Sequence, residues 1–441
     1  MDARSSTRLD SDVVVVGGGA AGVAAAIASA RQGLNVTLVE RYGFCGGGAV
    51  AGLSGTVCGL YEATNNLAAP PQQVVFGFAD EFCRRLEMMG GLSQPLLYGK
   101  TWVRVHDPVV WREAADAMLR EAGVRVIFHS VARSARMEGD KIEGLGLWTK
   151  QGPVDARAKV VVDASGDADV IAMAGLPNFI GDHGAVQNPT MIFRMMGVDV
   201  DRFVGEYGVD TIMPERVSAM IRAKDKSGDY RLPRAKIWLF PTTRPGELLC
   251  NCTRVIGPDG RELNTLFHQD FTDAEIEGRL QAREYARFFR DNLVGCERAF
   301  LNDTGVQVGV RQTRQVSGVK TLANSDVIRG TKFADGVAVS PWPIELHAGD
   351  RPKVEWLLND YYEIPYGCFV PGRGEGVLVA GRCLSAEHQA VASARVTAQC
   401  FSYGHAIGLA AAIAIRENVM PRAIDGRDVR AALNADGARI V

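Results

Sequence analysis

Hydrophobic and polar residues alternate along the chain in a way that predicts strands and helices in regular succession. Residues 13–16 are four valines, typical of a short buried strand, and an alanine-rich helix and a second apolar strand follow. The second strand ends at Glu40. A strand, a helix and a strand in this order are typical of a parallel sheet with helices packed on it, so an α/β fold is expected.

Segments further along the chain extend this pattern. Residues 107–123 carry apolar side chains three and four positions apart and predict an amphipathic helix, with Asp107 as its N-cap. The other elements expected of the same domain are a strand at 124–129, short strands within 131–157, a buried strand ending at Asp163, a strand at 377–380 and a helix at 397–416.

From about residue 175 the pattern changes and predicts a second region of longer strands. Residues 187–199, 235–242 and 306–319 each favour a strand. Thr272 and Glu275 have the spacing of a capping box and predict the start of a long charged helix.

The turn after the first strand has the glycine spacing of a dinucleotide-binding motif. Gly17 allows a tight turn, Gly19 allows backbone to approach a pyrophosphate, and Gly22 allows the helix to pack closely on the strand. Glu40 lies about 20 residues beyond the motif, where a carboxylate can bind a ribose hydroxyl. An ordinary βαβ unit is the alternative, but the flanking strands, the helix and the acid together predict an adenine dinucleotide site.

Composition narrows the class of protein. The 441 residues are 47% hydrophobic and 23% charged with a formal charge of −2, which favours a globular protein and gives no basic tract for nucleic acid. The nine cysteines form no C-x-x-C pair, so neither a metal site nor a disulfide scaffold is expected. A polar N-terminus and the lack of an uninterrupted apolar stretch of about 20 residues predict a cytoplasmic protein without a membrane partner.

Glycine-rich turns that suit a cofactor are scattered along the chain. They lie at residues 17–22, 46–48 and 163–167 and at Gly381. A nucleotide-binding domain that is left and then re-entered suits an extended FAD more than a nicotinamide cofactor. We therefore expect an FAD-binding domain at residues 1–175 and 372–441, and an inserted, mainly antiparallel substrate domain with helices at 176–371.

Six segments together resemble the FAD-dependent oxidoreductase family of the glutathione-reductase-like superfamily, whose nucleotide-binding domain is also similar to that of the heterodisulfide reductase flavin subunit. The segments follow one another over nearly the whole chain. They are DVVVVGGGAAGVAAAIASARQG, VERYGFCGGGAVAGL, AKVVVDASGDADVIAMAG, QNPTMIFRMMGVD, YEIPYGCFVP and GVLVAGRCLSAEHQAVASARVTAQCFSYGHAIGLAAA. The resemblance implies a Rossmann domain, split in sequence, that binds FAD.

The resemblance also implies which residues bind the cofactor. The pyrophosphate would lie on the glycines of the first turn, and the adenosine ribose on Glu40. The positions implied for the pyrophosphate and adenosine half are Gly17, Gly19, Ala20, Ala21, Gly22, Glu40, Arg41, Val131, Ala164, Ser165 and Gly166. Those implied for the centre and the flavin half are Gly47, Gly48, Gly381, Arg382, Arg395, Val396 and Thr397. For the last three, the alternative is a packed helix without flavin contact.

Three residues are candidates for catalysis. His388 precedes the last helix and is the first candidate for a base, the alternative being a histidine bound by backbone. Arg395 could hold the flavin or a substrate carboxylate, or could pair with Glu387. Arg311, with Thr313, could line the substrate side of a strand, and a solvated sheet face is the alternative.

Cys45 precedes a glycine turn, so a redox thiol is one interpretation, but Cys58 is too distant for a C-x4-C pair and a buried inert thiol is favoured. A second G-x-G-x-x-G motif is absent, which argues against a dedicated NAD(P)H domain.

The sequence thus predicts an enzyme that oxidises a small organic molecule by transferring a hydride to flavin N5. Oxygen or a partner protein would accept the electrons, and a homo-oligomer is compatible with the chain. A flavin monooxygenase is the first rival, and a non-redox flavoprotein or electron-transfer subunit is the second.

Overall fold

The computed structural model of the protein describes residues 7–347 and 352–440. The first part of the chain forms β1 (Arg8–Val16), α1 (Ala20–Arg31), β2 (Val36–Val39), α2 (Gly47–Val50), β3 (Thr56–Val57), α3 (Phe78–Met88), β4 (Leu96–Tyr98), β5 (Thr101–Val105), α4 (Pro108–Glu121), β6 (Arg125–Ile127), β7 (Val131–Glu138), β8 (Lys141–Thr149), β9 (Gly152–Asp163) and α5 (Asp169–Met173).

The remainder forms shorter strands and longer helices. They are β10 (Asn178–Ile180), β11 (Phe193–Met196), α6 (Val200–Tyr207), α7 (Glu215–Lys226), β12 (Trp238–Pro241), β13 (Glu247–Asn251), α8 (His268–Asn292), β14 (Phe300–Thr304), β15 (Arg314–Val316), α9 (Asn324–Arg329), β16 (Gly336–Ser340), β17 (Ile344–Leu346), β18 (Lys353–Glu355), β19 (Tyr362–Pro365), β20 (Val377–Val379), α10 (His388–Ala394), α11 (Thr397–Glu417) and α12 (Gly426–Ala435).

A seven-stranded sheet organises the first part of the fold. Strands β6, β2, β1 and β9 are parallel neighbours, and β20 joins β9 in parallel although it comes about 200 residues later. Strands β7 and β8 extend β9 as an antiparallel meander. Val16 and Val379 are both in register with Asp163, so the carboxyl ends of three strands meet at one edge of the sheet. This is the mixed α/β architecture that the sequence predicts.

Helix α11 packs directly against α1 beneath this sheet. A Cβ atom at Gly404 would lie 2.0 Å from the Ala21 carbonyl oxygen, and one at Gly408 would lie 2.6 Å from that of Ala25. Small residues therefore allow the two backbones to touch. Helix α11 is long and apolar enough to cross a membrane, with a mean hydropathy of 1.3, but 83% of that stretch is buried inside the protein, as expected of a core helix.

A second hydrophobic core lies between the antiparallel sheet β12–β13–β11–β14 and helix α8. Its largest buried side chains include Phe193, Tyr285 and Phe289. A third cluster joins Val103 of β5 to Trp238 of β12, which links the two regions. Apolar residues from Val316 onward pack on the first core, although the predicted boundary assigns them to the inserted region.

Three local predictions differ from the structure. The charged helix begins at His268, so Thr272 lies inside it and donates its hydroxyl to the His268 carbonyl. Glu275 accepts a hydrogen bond from the Val308 amide rather than closing a capping box. The strands predicted at 187–199 and 306–319 shorten to β11 and β15, because the neighbouring strands pair in regular register only with those residues.

Candidate functional site

A cavity of about 370 Å³ lies at the carboxyl edge of the parallel strands. Val16, Val39 and Ala380, which end or follow β1, β2 and β20, all line it. In α/β sheets this edge is the usual place for a ligand because loops and helix N-termini converge there. The cavity extends from the first glycine turn to residues of the antiparallel region, so both regions contribute to it.

The glycine turn that precedes α1 is closed by backbone packing. Gly17 has φ +99°, and a Cβ there would lie 2.4 Å from the Ala164 carbonyl oxygen. A Cβ at Gly22 would lie 1.7 Å from the Gly17 carbonyl oxygen. Gly19 is the N-cap of α1, and the first-turn amides have no intrahelical acceptor. This arrangement fits a pyrophosphate, which needs a close backbone and free N–H donors.

Glu40 lies at the other side of this turn and is only 4% exposed. Its carboxylate accepts hydrogen bonds from the Gly18 amide at 2.6 Å and the Tyr42 amide at 2.8 Å. Burial raises the pKa of Glu40, and these amides oppose that effect. Each carboxylate oxygen keeps a second lone pair, so the side chain fits a ribose hydroxyl in the cavity.

The predicted cofactor residues meet in this one cavity, with a single exception. Gly22 lies behind the turn and does not line it. The lining includes Gly17, Gly19, Ala20, Ala21, Glu40, Arg41, Gly47, Gly48, Val131, Ala164, Ser165, Gly166, Gly381, Arg382, Arg395, Val396 and Thr397. Contact of each of these residues with the cofactor stays a prediction.

We call the part of the cavity that is lined by Tyr98, Glu345 and His347 its far end. The sequence did not single out these residues. Glu345 and His347 both line this end and lie two positions apart, at β17 and just after it. Tyr98 donates its hydroxyl to Glu345 Oε1 at 2.7 Å, and His347 Nε2 lies 3.5 Å from the same oxygen. The only sequence signal was an acid and a histidine on the same face of a short strand.

His347 is held in its neutral form. Burial lowers its pKa well below the ordinary value, and the nearby charges of Arg311, Arg234 and Arg395 lower it further. A neutral imidazole has one nitrogen that can accept a proton. His347 can therefore act as a base at this end of the cavity.

Arg311 and Arg395 also line this end, and neither a solvated face for Arg311 nor a pairing of Arg395 with Glu387 is seen. Arg311 is 7% exposed, not on a solvated face, and its Nη1 donates to the Asn188 carbonyl at 2.6 Å. Arg395 Nη2 donates to Gln187 Oε1 at 3.2 Å, whereas Glu387 accepts from a different residue, the Asn324 amide.

His388 is the predicted catalytic residue that the structure does not bring into the cavity lining. It is the first residue of α10, and burial lowers its pKa. Its Nδ1 has no hydrogen-bond partner within the described ranges. The expectation of a base at this position rested on its closeness in sequence to the last helix, and that closeness does not bring the residue into the cavity lining.

Cys45 and Thr313, two further residues that the sequence singled out, are both buried. Cys45 is fully buried, and burial raises the pKa of its thiol, which suits an inert protonated side chain. Thr313 donates to Asp167, which Arg382 also binds at 2.7 Å.

Among residues 7–347 and 352–440, no group of three or more histidine, cysteine or acidic side chains could hold a metal ion.

Known proteins share both sequence and fold with this chain. Thiamine thiazole synthase from Aeropyrum pernix is 32% identical over 174 residues, which are 37% of this chain and 57% of that protein. The chain thus spans little more than half the length of this curated relative.

Two solved structures have the same fold over 97% of this chain and 83% of their own, each with a TM-score of 0.50. They are a geranylgeranyl bacteriochlorophyll reductase-like protein from Thermoplasma acidophilum, 15% identical, and the flavin-dependent brominase Bmp2, 14% identical. The profile of the FAD-dependent oxidoreductases matches residues 12–433. The chain therefore belongs to the FAD-dependent oxidoreductase family, and it is an enzyme whose cofactor is FAD.

Proposed function

We propose that this enzyme oxidises a small organic substrate by two electrons at the end of the cavity that contains His347. The observation that carries the proposal is that one cavity joins the glycine turn to a buried, neutral histidine. FAD supplies a two-electron acceptor when bound. Such a reaction then needs from the protein a place for the substrate and a base for its acidic proton.

The cofactor end of the cavity is proposed to bind FAD by the residues already described. The turn at Gly17 and Gly19, with the first amides of α1, would hold the pyrophosphate, and Glu40 would hold the ribose. Thr397 begins α11, and Val396 is its N-cap. A helix N-terminus favours negative charge, which suits the flavin ring at the end of this helix.

The far end of the cavity is proposed to bind the substrate and remove its proton. His347 Nδ1 would take the proton, because Nε2 faces Glu345 Oε1 at 3.5 Å and is the nitrogen that carries the hydrogen in the neutral ring. Tyr98 fixes that carboxylate through its hydroxyl. Phe240 and Trp342 line the same end and would exclude water from the reacting atoms.

An anaerobic screen of purified holoenzyme tests this proposal. We expect a substrate to bleach the flavin absorbance without NAD(P)H, and His347→Gln to slow bleaching at least 100-fold while the flavin content stays unchanged. His388→Gln is the matched control and should bleach at the normal rate. Flavin that bleaches only with NAD(P)H, or a product that contains an oxygen atom from O2, would contradict the proposal.

The pH profile gives a second readout for His347. Because the pKa of His347 lies well below 6.5, the rate of bleaching should rise with pH only in that acidic range, as the ring loses its proton, and should be level at neutral pH. In His347→Gln this dependence should disappear. A profile that is the same in both proteins would assign the base to another group.

A further inference from the structure

Three arginines surround the end of the cavity that contains His347. Arg311 and Arg395 line it, and Arg234 lies behind the lining residue Asn251, to whose Oδ1 it donates at 3.2 Å. Arg234 is 3% exposed and Arg311 is 7% exposed. Three guanidinium groups are therefore concentrated at one end of a single cavity.

Within the parts of the chain that the structure describes, none of these three arginines pairs with an acid. No carboxylate oxygen of those parts lies within 4.0 Å of any of them. Their partners are neutral: Arg311 donates to the Asn188 carbonyl, Arg395 to Gln187 Oε1, and Arg234 to the Lys236 carbonyl and Asn251 Oδ1.

Other poorly exposed arginines behave differently. Arg194 pairs with Asp303 and Glu247, Arg382 with Asp167, and Arg104 with Glu87. A buried charge without a counter-ion is costly, so proteins seldom retain one unless a ligand supplies the opposite charge.

Donor atoms at this end also lack acceptors. Arg395 Nε, Arg234 Nη2 and Trp342 Nε1 are buried and have no hydrogen-bond partner within the described residues. Glu345 provides one negative charge for three positive ones, and that carboxylate is already engaged with Tyr98. The end of the cavity thus has an excess of positive charge and of N–H donors.

The effect of these charges on Arg311 agrees with an excess of positive charge. Burial lowers the pKa of Arg311 well below its ordinary value, and the charges of Arg395 and Arg234 lower it further. The mutual repulsion of these groups would be relieved by an anion bound among them. Guanidinium groups bind carboxylates strongly because their N–H donors match the two oxygens.

We propose that the substrate is a small organic acid, whose carboxylate is bound by Arg311 and Arg395. Arg234 adds positive potential from behind Asn251, and the carbon to be oxidised would lie on the side of His347. This inference rests on the proposed function, since it names the substrate class of the same site. Its competitor is that these arginines serve the FAD instead.

Binding of inert carboxylates to the holoenzyme tests the inference directly. Acetate, malonate and succinate are added under air, and perturbation of the flavin absorbance spectrum reports binding near the flavin. At least one acid should give a saturable change, and its methyl ester should give none at the same concentration. Equal binding of acid and ester would overturn the inference.

Three variants identify the residues concerned. Arg311→Gln should weaken carboxylate binding at least tenfold with FAD content unchanged, and Arg311→Lys should restore part of it because the positive charge remains. Arg314→Gln is the matched control, because Arg314 lies three residues away, pairs with Asp169 and is outside the cavity lining. It should bind the acid as the unaltered protein does.

The outcomes separate this inference from the proposed function. If Arg311→Gln instead loses FAD, the arginines serve the cofactor and the inference is wrong. If a neutral compound bleaches the flavin while no carboxylate binds, the proposed function stands and the inference fails. If a carboxylate binds through Arg311 but no compound bleaches the flavin, the inference stands and the proposed function fails.

Discussion

His106 shows how burial acts on a single imidazole away from the cavity. It is 3% exposed, both ring nitrogens lack a hydrogen-bond partner within the described ranges, and the ring packs on Trp111 with 4.5 Å between centroids. Burial lowers the pKa of His106 from 6.5 to about 4. The native protein therefore keeps this ring neutral under conditions in which the unfolded chain would protonate it.

This difference predicts a loss of stability in acid. Between pH 6.5 and about pH 4 the unfolded state binds a proton that the folded state does not, so the free energy of unfolding falls as the pH falls, by about 3 kcal/mol in total. His106→Phe should remove this part of the pH dependence. Urea unfolding of both proteins at pH 7 and pH 4.5 measures it.

His183, whose side chain is 99% exposed, provides the control. His183→Gln should leave the difference between pH 7 and pH 4.5 unchanged. If His106→Phe loses as much stability in acid as the unaltered protein, the buried ring does not cause the effect.

The first glycine turn depends on a close approach of backbones at Gly17. Gly17→Ala would place a methyl group 2.4 Å from the Ala164 carbonyl oxygen at φ +99°. Because the turn must open to accept it, we expect at least a tenfold loss of FAD affinity, measured by titrating apoprotein with FAD. Gly33→Ala has a similar φ of +82° but no heavy atom within 4 Å. It should cost roughly 1 kcal/mol of stability and retain FAD. Equal FAD binding by both variants would refute a tight turn.

Contact between α1 and α11 is the element-scale feature on which the first core depends. Gly404 faces the Ala21 carbonyl oxygen, and Ser29 donates its hydroxyl to the Gly408 carbonyl at 3.1 Å. The sequence predicted the helix at 397–416, but its partner helix lies near the other end of the chain. Only the fold brings these two helices together.

Gly404→Ala should therefore destabilise the protein despite the better helix propensity of alanine. The added methyl group would lie 2.0 Å from the Ala21 carbonyl oxygen, so the helices must separate, at a cost of about 1–3 kcal/mol. Gly205→Ala in α6 is the matched control, since nothing lies within 4 Å of its Cβ position. It should be neutral or stabilising by up to ~1 kcal/mol. Thermal unfolding of both holoenzymes decides between these expectations, and similar effects would exclude close helix contact.

Element boundaries also show where local signals fail. Asp107 caps α4 as predicted, because its carboxylate accepts from the Val109 and Val110 amides of the first turn. The Thr272–Glu275 spacing is equally local, yet α8 begins four residues earlier. In the first turn of α8, Asp270 accepts from Arg261 at 2.6 Å, a contact that the capping-box spacing does not include.

At the scale of the whole molecule, the cavity connects a nucleotide-binding sheet to an antiparallel region. Gln307 illustrates the connection, since it accepts a hydrogen bond from Arg41 across the cavity wall. FAD binding should therefore stabilise the first core directly and the second core only through such contacts. Linkage gives about 2.7 kcal/mol at a ligand concentration 100 times Kd.

Hydrogen exchange with and without FAD tests this arrangement. Removal of FAD should increase amide exchange most in β1, the turn that follows it and the 46–48 turn. Helix α8, which lies in the second core, should change least and serves as the internal control. Greater deprotection of α8 than of β1 would mean that the cofactor is bound elsewhere.

The sequence by itself determined the features that depend on near neighbours. The strand, the glycine turn, α1 and Glu40 could be predicted because their spacing acts within about 30 residues, as could the cap of α4. The division into domains stays a prediction. Apolar residues from Val316 onward share the first core, although the predicted inserted domain extends to residue 371.

Only the tertiary structure decided the chemistry at the other end of the cavity. Tyr98, Arg234, Arg311, Glu345 and Arg395 come from five separate segments, and no local pattern specifies their meeting. Burial lowers the pKa of His347 and so keeps it neutral. The packing leaves the three arginines without an acid partner among the described residues. Charge and proton affinity depend on surroundings in three dimensions, and these were absent from the linear order of the residues.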